Sequence, residues 1–212
     1  MTLVSSTRAM IATAAVAVGL GLGGCVTVLP KEKPVQLYRF DVTGAGRSAP
    51  VAGGRVALAV SSFLPAASRG DGVLTLRGDQ AAYVSEARWV TPAAVMFHEA
   101  VTGALEAEAP HVRVLRAGDA GAAGLRLRID VRHFEVVYDA SRGGAPEVHL
   151  QALLQLSDAT GGGASKSLDL HVPAAANRIS AIVSAFDQAV SQTAAASAAL
   201  AESAAAPVSK AP

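Results

Sequence analysis

The sequence predicts an α+β fold: a single domain in which an antiparallel sheet packs against two main helices, after an N-terminal signal peptide. Three observations carry this. Several segments alternate apolar and polar residues with a period of two, as in Val56, Leu58 and Val60. Two longer segments instead place apolar residues at helical spacing. Ahead of all of them stands one short apolar run that ends in the chain's only cysteine.

The leader comes first. Arg8 is its only charge, Ala9 to Leu20 is apolar, and Leu22-Gly23-Gly24-Cys25 follows. A run of this length falls short of the roughly 20 residues of a spanning helix and fits the core of a signal peptide. Leu, two small residues and Cys resemble the bacterial lipobox. The small residues admit the backbone to a peptidase groove, and the Cys25 thiol is the nucleophile that takes up lipid. Residues 1–24 therefore read as a lipoprotein signal peptide. Residues 25–35 read as a lipidated tether, with Pro30 and Pro34 keeping it extended. Several acyl chains give lasting attachment, whereas a single chain binds only marginally. An Asp directly after the lipidated Cys is the usual signal for retention in the inner membrane. Val26 stands there instead, so an outer-membrane anchor with the body facing the periplasm is expected.

The body, residues 36–200, is taken in order. Leu37 to Val42 is a first strand, and Gly44 to Gly54 a loop. Arg55 to Phe63 is a strand, and Gly72 to Gly78 with Ala81 to Val84 form a hairpin turning at Gly78-Asp79. Thr91 as N-cap and Pro92 at the first position open a helix that Pro110 ends. Its apolar stripe is Met96, Phe97, Ala100, Val101, Ala104 and Leu105. Val112 to Leu115 is a short strand. Leu125 to Tyr138 is the longest, and its alternation slips phase near His133, which predicts a bulge. Glu147 to Asp158 and a strand through Leu168, Leu170 and Val172 complete an antiparallel meander. Ala174 to about Ala199 is the second helix, with Ile179, Ile182, Val183, Phe186 and Val190 on its apolar face. Residues 201–212 read as a disordered Ala/Ser/Pro tail. One sheet face is left over for a partner.

Composition narrows the function. The 212 residues are 51% apolar and 17% charged, which favours a folded core over a disordered chain. The net charge is +1 and falls to zero without the leader and its Arg8. The arginines are scattered, so no basic face for nucleic acid arises. Once Cys25 carries lipid, neither a disulfide nor a catalytic thiol is available.

Motifs for catalysis are missing. No Gly-x-Ser-x-Gly elbow or phosphate loop occurs, and His98-Glu99 is followed by Thr102 where a zinc-protease motif needs histidine. No catalytic residue and no metal site is therefore expected. His133, His149 and His171 fall on strands that could be neighbours, but ordinary strand-face histidines explain them, without supporting carboxylate or cysteine spacing. Arg69-Gly70-Asp71 matches an adhesion tripeptide by chance.

Three segments resemble the ABC-type transport auxiliary lipoprotein component family, the Pqi-type outer-membrane lipoproteins of MCE transport systems. The lipobox and tether lead into Leu37-Tyr38-Arg39-Phe40. Ala82-Tyr83-Val84 and Ala87-Arg88-Trp89 precede Pro92 and a helix. Val172-Pro173-Ala174-Ala175-Ala176-Asn177-Arg178 runs into Ile182 to Ala189. Val90-Thr91 and Ala93 depart from the family pattern, as does the long Ala-rich tail. The resemblance implies a non-enzymatic accessory to a system that moves lipids or other hydrophobic molecules. Its partner would be an MCE-domain protein of an ABC transport system, with a homo-oligomer in view. It implies no cofactor beyond the covalent lipid at Cys25. Tyr83, Arg88 and Trp89 are the candidate partner-binding residues. The competing reading of Trp89, as a lid over the core, weighs more in a chain so poor in aromatics. The alternative functions are a lipoprotein that assists outer-membrane assembly or lipopolysaccharide export through a β-barrel, and a lipid-anchored hydrolase.

Overall fold

The computed structural model describes residues 34–40, 54–139 and 144–206. The chain divides into a unit of Met1–Pro34 and a unit of Val35–Pro212, and every element below belongs to the second. The leader, Leu22, Gly23, Gly24 and Cys25 lie outside the described residues, as do residues 41–53 and 207–212.

Among the described residues, eight strands and two helices follow in the order β1 (Gln36–Tyr38), β2 (Val56–Phe63), β3 (Gly72–Arg77), β4 (Gln80–Trp89), α1 (Ala93–Glu108), β5 (Val112–Val114), β6 (Leu125–Val137), β7 (Glu147–Asp158), β8 (Gly163–Pro173) and α2 (Ile179–Ala205). The strands form one sheet, and α1 and α2 pack on each other and on its inner face. The α+β domain with two helices is as expected.

The sheet is mixed rather than antiparallel throughout. The meander β6-β7-β8 and the β3-β4 hairpin are antiparallel. β2 runs parallel to both β5 and β6, β3 parallel to β6, and β1 parallel to β4. The direction follows from the connections. A tight turn reverses a strand, as between β3 and β4, whereas the longer connections let β2, β3, β5 and β6 run the same way. β6 is long enough to serve two neighbours on one edge. Leu125–Asp130 pairs with β2, and Val136–Val137 pairs with β3. Between these stretches lies the register shift at Val131/His133, the bulge that the phase slip foretold.

The core lies between the inner sheet face and the helices. The α1 stripe of Met96, Phe97, Ala100, Val101, Ala104 and Leu105 is buried, as are Ile182, Phe186 and Val190 of α2. Five aromatics make a connected cluster. Trp89 meets Phe40 at 5.3 Å and Phe186 at 5.2 Å, both edge-on, and Phe134 links Phe40, Phe97 and Phe186. Such edge-to-face pairs contribute about 0.5–1.5 kcal/mol each beyond the area they bury.

Two helix starts differ from expectation. α1 is not capped by a Thr91 side chain, and Pro92 occupies the N-cap. Its first free N–H groups are met by backbone carbonyls instead, Ala93 N–H donating to Gly70 O at 2.8 Å and Ala94 N–H to Arg69 O at 3.2 Å. Arg69-Gly70-Asp71 is thus a structural loop, its third carbonyl accepting from Trp89 N–H at 2.7 Å. α2 begins at Ile179, later than Ala174, and continues through Ala205. Ala174 is held by a hydrogen bond to Pro146 O, which binds this segment to the sheet and delays the helix. Residues 201–205, assigned to the tail from composition, are helical. Among the described residues, no helix is long and apolar enough to cross a membrane.

Candidate functional site

The three residues singled out near the hairpin have separate fates. Trp89 is 2% exposed and sits inside the aromatic cluster, so it is a core lid and is withdrawn from any direct contact surface. Arg88 is half-buried, and its guanidinium donates to the carbonyls of Val84 at 2.8 Å and Ala87 at 2.9 Å. Only Tyr83 is well exposed. Its ring covers Gly72 on the neighbouring strand, and its hydroxyl donates to Ala67 O at 2.8 Å. Leu37, Val90 and Val95, from the same sequence motifs, are also exposed.

The chemically richer surface is the sheet face opposite the helices. Alternation along β6, β7 and β8 turns Leu127, Ile129, Leu150, Leu154 and Val172 inward and sends their neighbours outward. At one end this outer face carries Ser61, Arg126, Arg128, Gln155 and Ser157 around a depression of about 430 Å³, with Phe63 beside Arg128. Arg128 lies over the Phe63 ring at 4.4 Å and grips Asp130 through two hydrogen bonds of 2.8 Å.

At the other end the register assembles a histidine ladder. His149 pairs directly with Glu135 on one side and with His171 on the other. The bulge brings His133 alongside. The three imidazoles stack, His133 on His149 at 4.4 Å and His149 on His171 at 4.3 Å, with planes 20° and 15° apart. Carboxylates interleave with them. His133 Nδ1 lies 2.6 Å from Glu135 Oε1, His149 Nε2 2.9 Å from Asp169 Oδ1, and His171 Nδ1 2.9 Å from Glu147 Oε1. Glu135, beneath the rings, is 4% exposed, and its second oxygen accepts from Phe134 N–H at 2.6 Å. Asp169 is held below the ordinary carboxylate range, chiefly by its hydrogen bond to His149, with His171 and Gln151 adding to it.

Sequence reasoning marks these histidines as candidates for neighbouring strands but misses the carboxylates. The signal is present. Each of the three strands carries one histidine and one acid two residues apart: His133 with Glu135, Glu147 with His149, and Asp169 with His171. Residues at i and i+2 share a face of a strand, so each pair projects together. What the spacing alone does not give is the register that brings the three pairs side by side.

Comparisons with known proteins agree with this architecture. A crystal structure of an uncharacterized protein superposes with a TM-score of 0.63 at 17% identity, covering 79% of this chain and 98% of that one. A crystal structure of a DUF330-family protein from Xanthomonas campestris gives a TM-score of 0.63 at 20% identity, covering 80% of this chain and 97% of that one. At these identities the likeness establishes the fold alone. No curated protein matches the sequence. One family does match, over residues 38–198, which takes in every described element from the end of β1 to most of α2. By that match the chain belongs to the family of ABC-type transport auxiliary lipoprotein components.

Proposed function

We propose that this protein is a non-enzymatic accessory lipoprotein of an MCE/ABC-type system that carries lipids or other hydrophobic molecules and supports membrane integrity. It is anchored in the outer membrane through lipid on Cys25, with the body in the periplasm. The observation that carries this reading is the family match over residues 38–198. Two features support it. The lipobox Leu22-Gly23-Gly24-Cys25 stands ahead of the matched domain, followed by Val26 rather than Asp. Among the described residues the helices cover one sheet face and leave the other, which is polar and carries Arg126 and Arg128, for docking. A polar, partly charged face of this kind suits a reversible protein contact better than a lipid conduit, which needs a continuous apolar lining. In this reading the protein holds the transport partner at the outer membrane, and the cargo passes along the partner.

The experiment is crosslinking in cells with the Cys25-anchored protein as bait, followed by mass spectrometry of the captured partners. Recovery of an MCE-domain protein is the expected result. Recovery of only an outer-membrane β-barrel or its assembly factors would overturn the transport reading in favour of a role in outer-membrane assembly. The anchor is checked separately: Cys25→Ser moves the protein from the membrane to the soluble fraction.

A further inference from the structure

The geometry points to a divalent transition-metal site of the zinc class on the sheet face opposite the helices, formed by His149 Nε2, His171 Nε2 and Asp169 Oδ1. The ligand atoms come from adjacent strands, β7 and β8, and all lie within 4.8 Å of one another. Zinc holds nitrogen and oxygen ligands at about 2.0–2.2 Å, so tetrahedral neighbours stand about 3.3 Å apart. Asp169 Oδ1 is 2.9 Å from His149 Nε2 and 3.6 Å from His171 Nε2, separations that straddle this value.

The surrounding carboxylates favour this triad over a chance cluster. A metal-bound histidine ordinarily gives its other ring N–H to a carboxylate, which fixes the tautomer and aims the free lone pair at the ion. His171 has such a partner in Glu147 Oε1, 2.9 Å from its Nδ1. His149 Nδ1 faces Glu135 Oε1 at 3.7 Å, a carboxylate that is almost wholly buried and therefore fixed. Both rings thus have a carboxylate near Nδ1, within hydrogen-bond reach for His171 and at 3.7 Å for His149, and a shared oxygen in front of Nε2. Two imidazoles and one carboxylate leave coordination positions open to solvent, as in sites that accept a further ligand.

Binding has a structural cost and a chemical one. A metal lies in the plane of each imidazole it binds, so the two rings, now 15° from parallel, must splay. His171 is about half exposed and can turn. His149 Nε2 must carry no proton when it ligates, which leaves the proton of that ring on Nδ1.

A second triad, His133 Nδ1, His149 Nδ1 and Glu135 Oε1, shares the central ring. There Glu135 Oε1 is already engaged by His133 at 2.6 Å, and its other oxygen is tied to the Phe134 amide. That buried carboxylate is placed to orient rings rather than to reach out to an ion. The outer triad is the better site, and the two make opposite predictions for substitution.

The test is calorimetric titration of the full, untagged chain in detergent micelles with Zn²⁺ alone. It is repeated on Cys25→Ser so that the one thiol cannot supply the binding. One Zn²⁺ per chain with micromolar or tighter affinity is expected. His171→Asn and Asp169→Asn should each weaken it by at least about tenfold, and His133→Asn should leave it unchanged. Co²⁺ in place of Zn²⁺ gives a second readout, the visible bands of a four- or five-coordinate ion. Circular dichroism confirms that each variant keeps its fold. No saturable heat at millimolar Zn²⁺, unchanged affinity in His171→Asn and Asp169→Asn, or a loss that follows His133→Asn would each overturn the outer triad.

Discussion

Trp89, the last residue of β4, meets Phe186 of α2 edge-on, with ring centroids 5.2 Å apart and planes at 90°. This contact joins the hairpin end of the sheet to the C-terminal helix. Phe40, just after β1, meets the indole at 5.3 Å, so β4, α2 and the segment after β1 converge on one ring. The position is a structural keystone rather than a docking residue. Trp89→Ala should cost about 3–5 kcal/mol, the usual range for an aromatic removed from a core. Trp89→Phe should cost less and keep partner capture in cells. Urea unfolding followed by circular dichroism measures the first, and crosslinking the second. Loss of capture in a Trp89→Phe protein of near-normal stability would return this residue to the contact surface.

Gly72 and Tyr83 form the second relationship open to test. A Cβ at position 72 would come within 2.6 Å of Tyr83 Cδ1, closer than such atoms approach. The tyrosine is half exposed and can swing aside, but doing so breaks the hydrogen bond from its hydroxyl to Ala67 O. Gly72→Ala should therefore destabilise by about 1–2 kcal/mol, a lost hydrogen bond plus repacking. In the Tyr83→Ala background the same change should cost almost nothing. A double-mutant cycle on denaturation midpoints reads the coupling. Additive effects would show that the ring does not set the requirement for glycine.

Glu202 tests the length of α2. Its carboxylate accepts from His111 N–H at 3.0 Å and meets His111 Nδ1 at 2.5 Å, fastening the last turns of the helix to the start of β5. Both side chains are about one quarter exposed, so the bond is not fully screened by solvent. Glu202→Ala should cost about 1–2 kcal/mol and speed amide exchange selectively through Ala198–Ala205. Uniformly faster exchange along all of α2 would mean that the helix unfolds as a unit instead.

These residues also show where sequence reading reaches its limit. Periodicity places the α1 stripe and all three strands of the meander because alternation and helical spacing are local properties. The bulge at Val131/His133 is legible for the same reason, since a phase slip is written in consecutive residues. Pairing direction is not. Nothing in Val56–Phe63 records that its neighbour is Leu125–Asp130, running parallel. The end of α2 escapes composition because Ala and Ser say little about burial. Ser197 and Ala201 are fully buried, and Glu202 is fixed by a residue far away in sequence. For the histidine ladder, the three His/acid pairs can be read from spacing, but their alignment depends on register across two turns.

The β7-β8 turn supplies a pH-dependent prediction. Asp158 Oδ1 accepts from Thr160 Oγ1 at 2.7 Å, Thr160 N–H at 2.8 Å and Gly162 N–H at 2.9 Å. The Thr160 hydroxyl first, then the Thr160 and Gly162 amides, hold the carboxyl below its ordinary value of 3.8. A carboxylate lowered in the folded state stabilises the fold above its unfolded value. That contribution drains away as pH falls below 3.8 through the folded value. Asp158→Asn keeps an acceptor oxygen but removes the charge, so it imitates the protonated turn at every pH. The variant should melt below the parent at pH 7, the gap should hold down to the ordinary carboxylate value, and it should close under more acid conditions. Thermal unfolding across an acid series measures it. A gap that persists unchanged into strong acid would place the loss in turn geometry rather than in charge. Gly162 offers a check on that alternative, because a Cβ there would meet Asp158 Oδ2 at 2.7 Å. Gly162→Ala should therefore lower the melting temperature through crowding in the turn, and the part of that loss that survives in acid measures geometry alone.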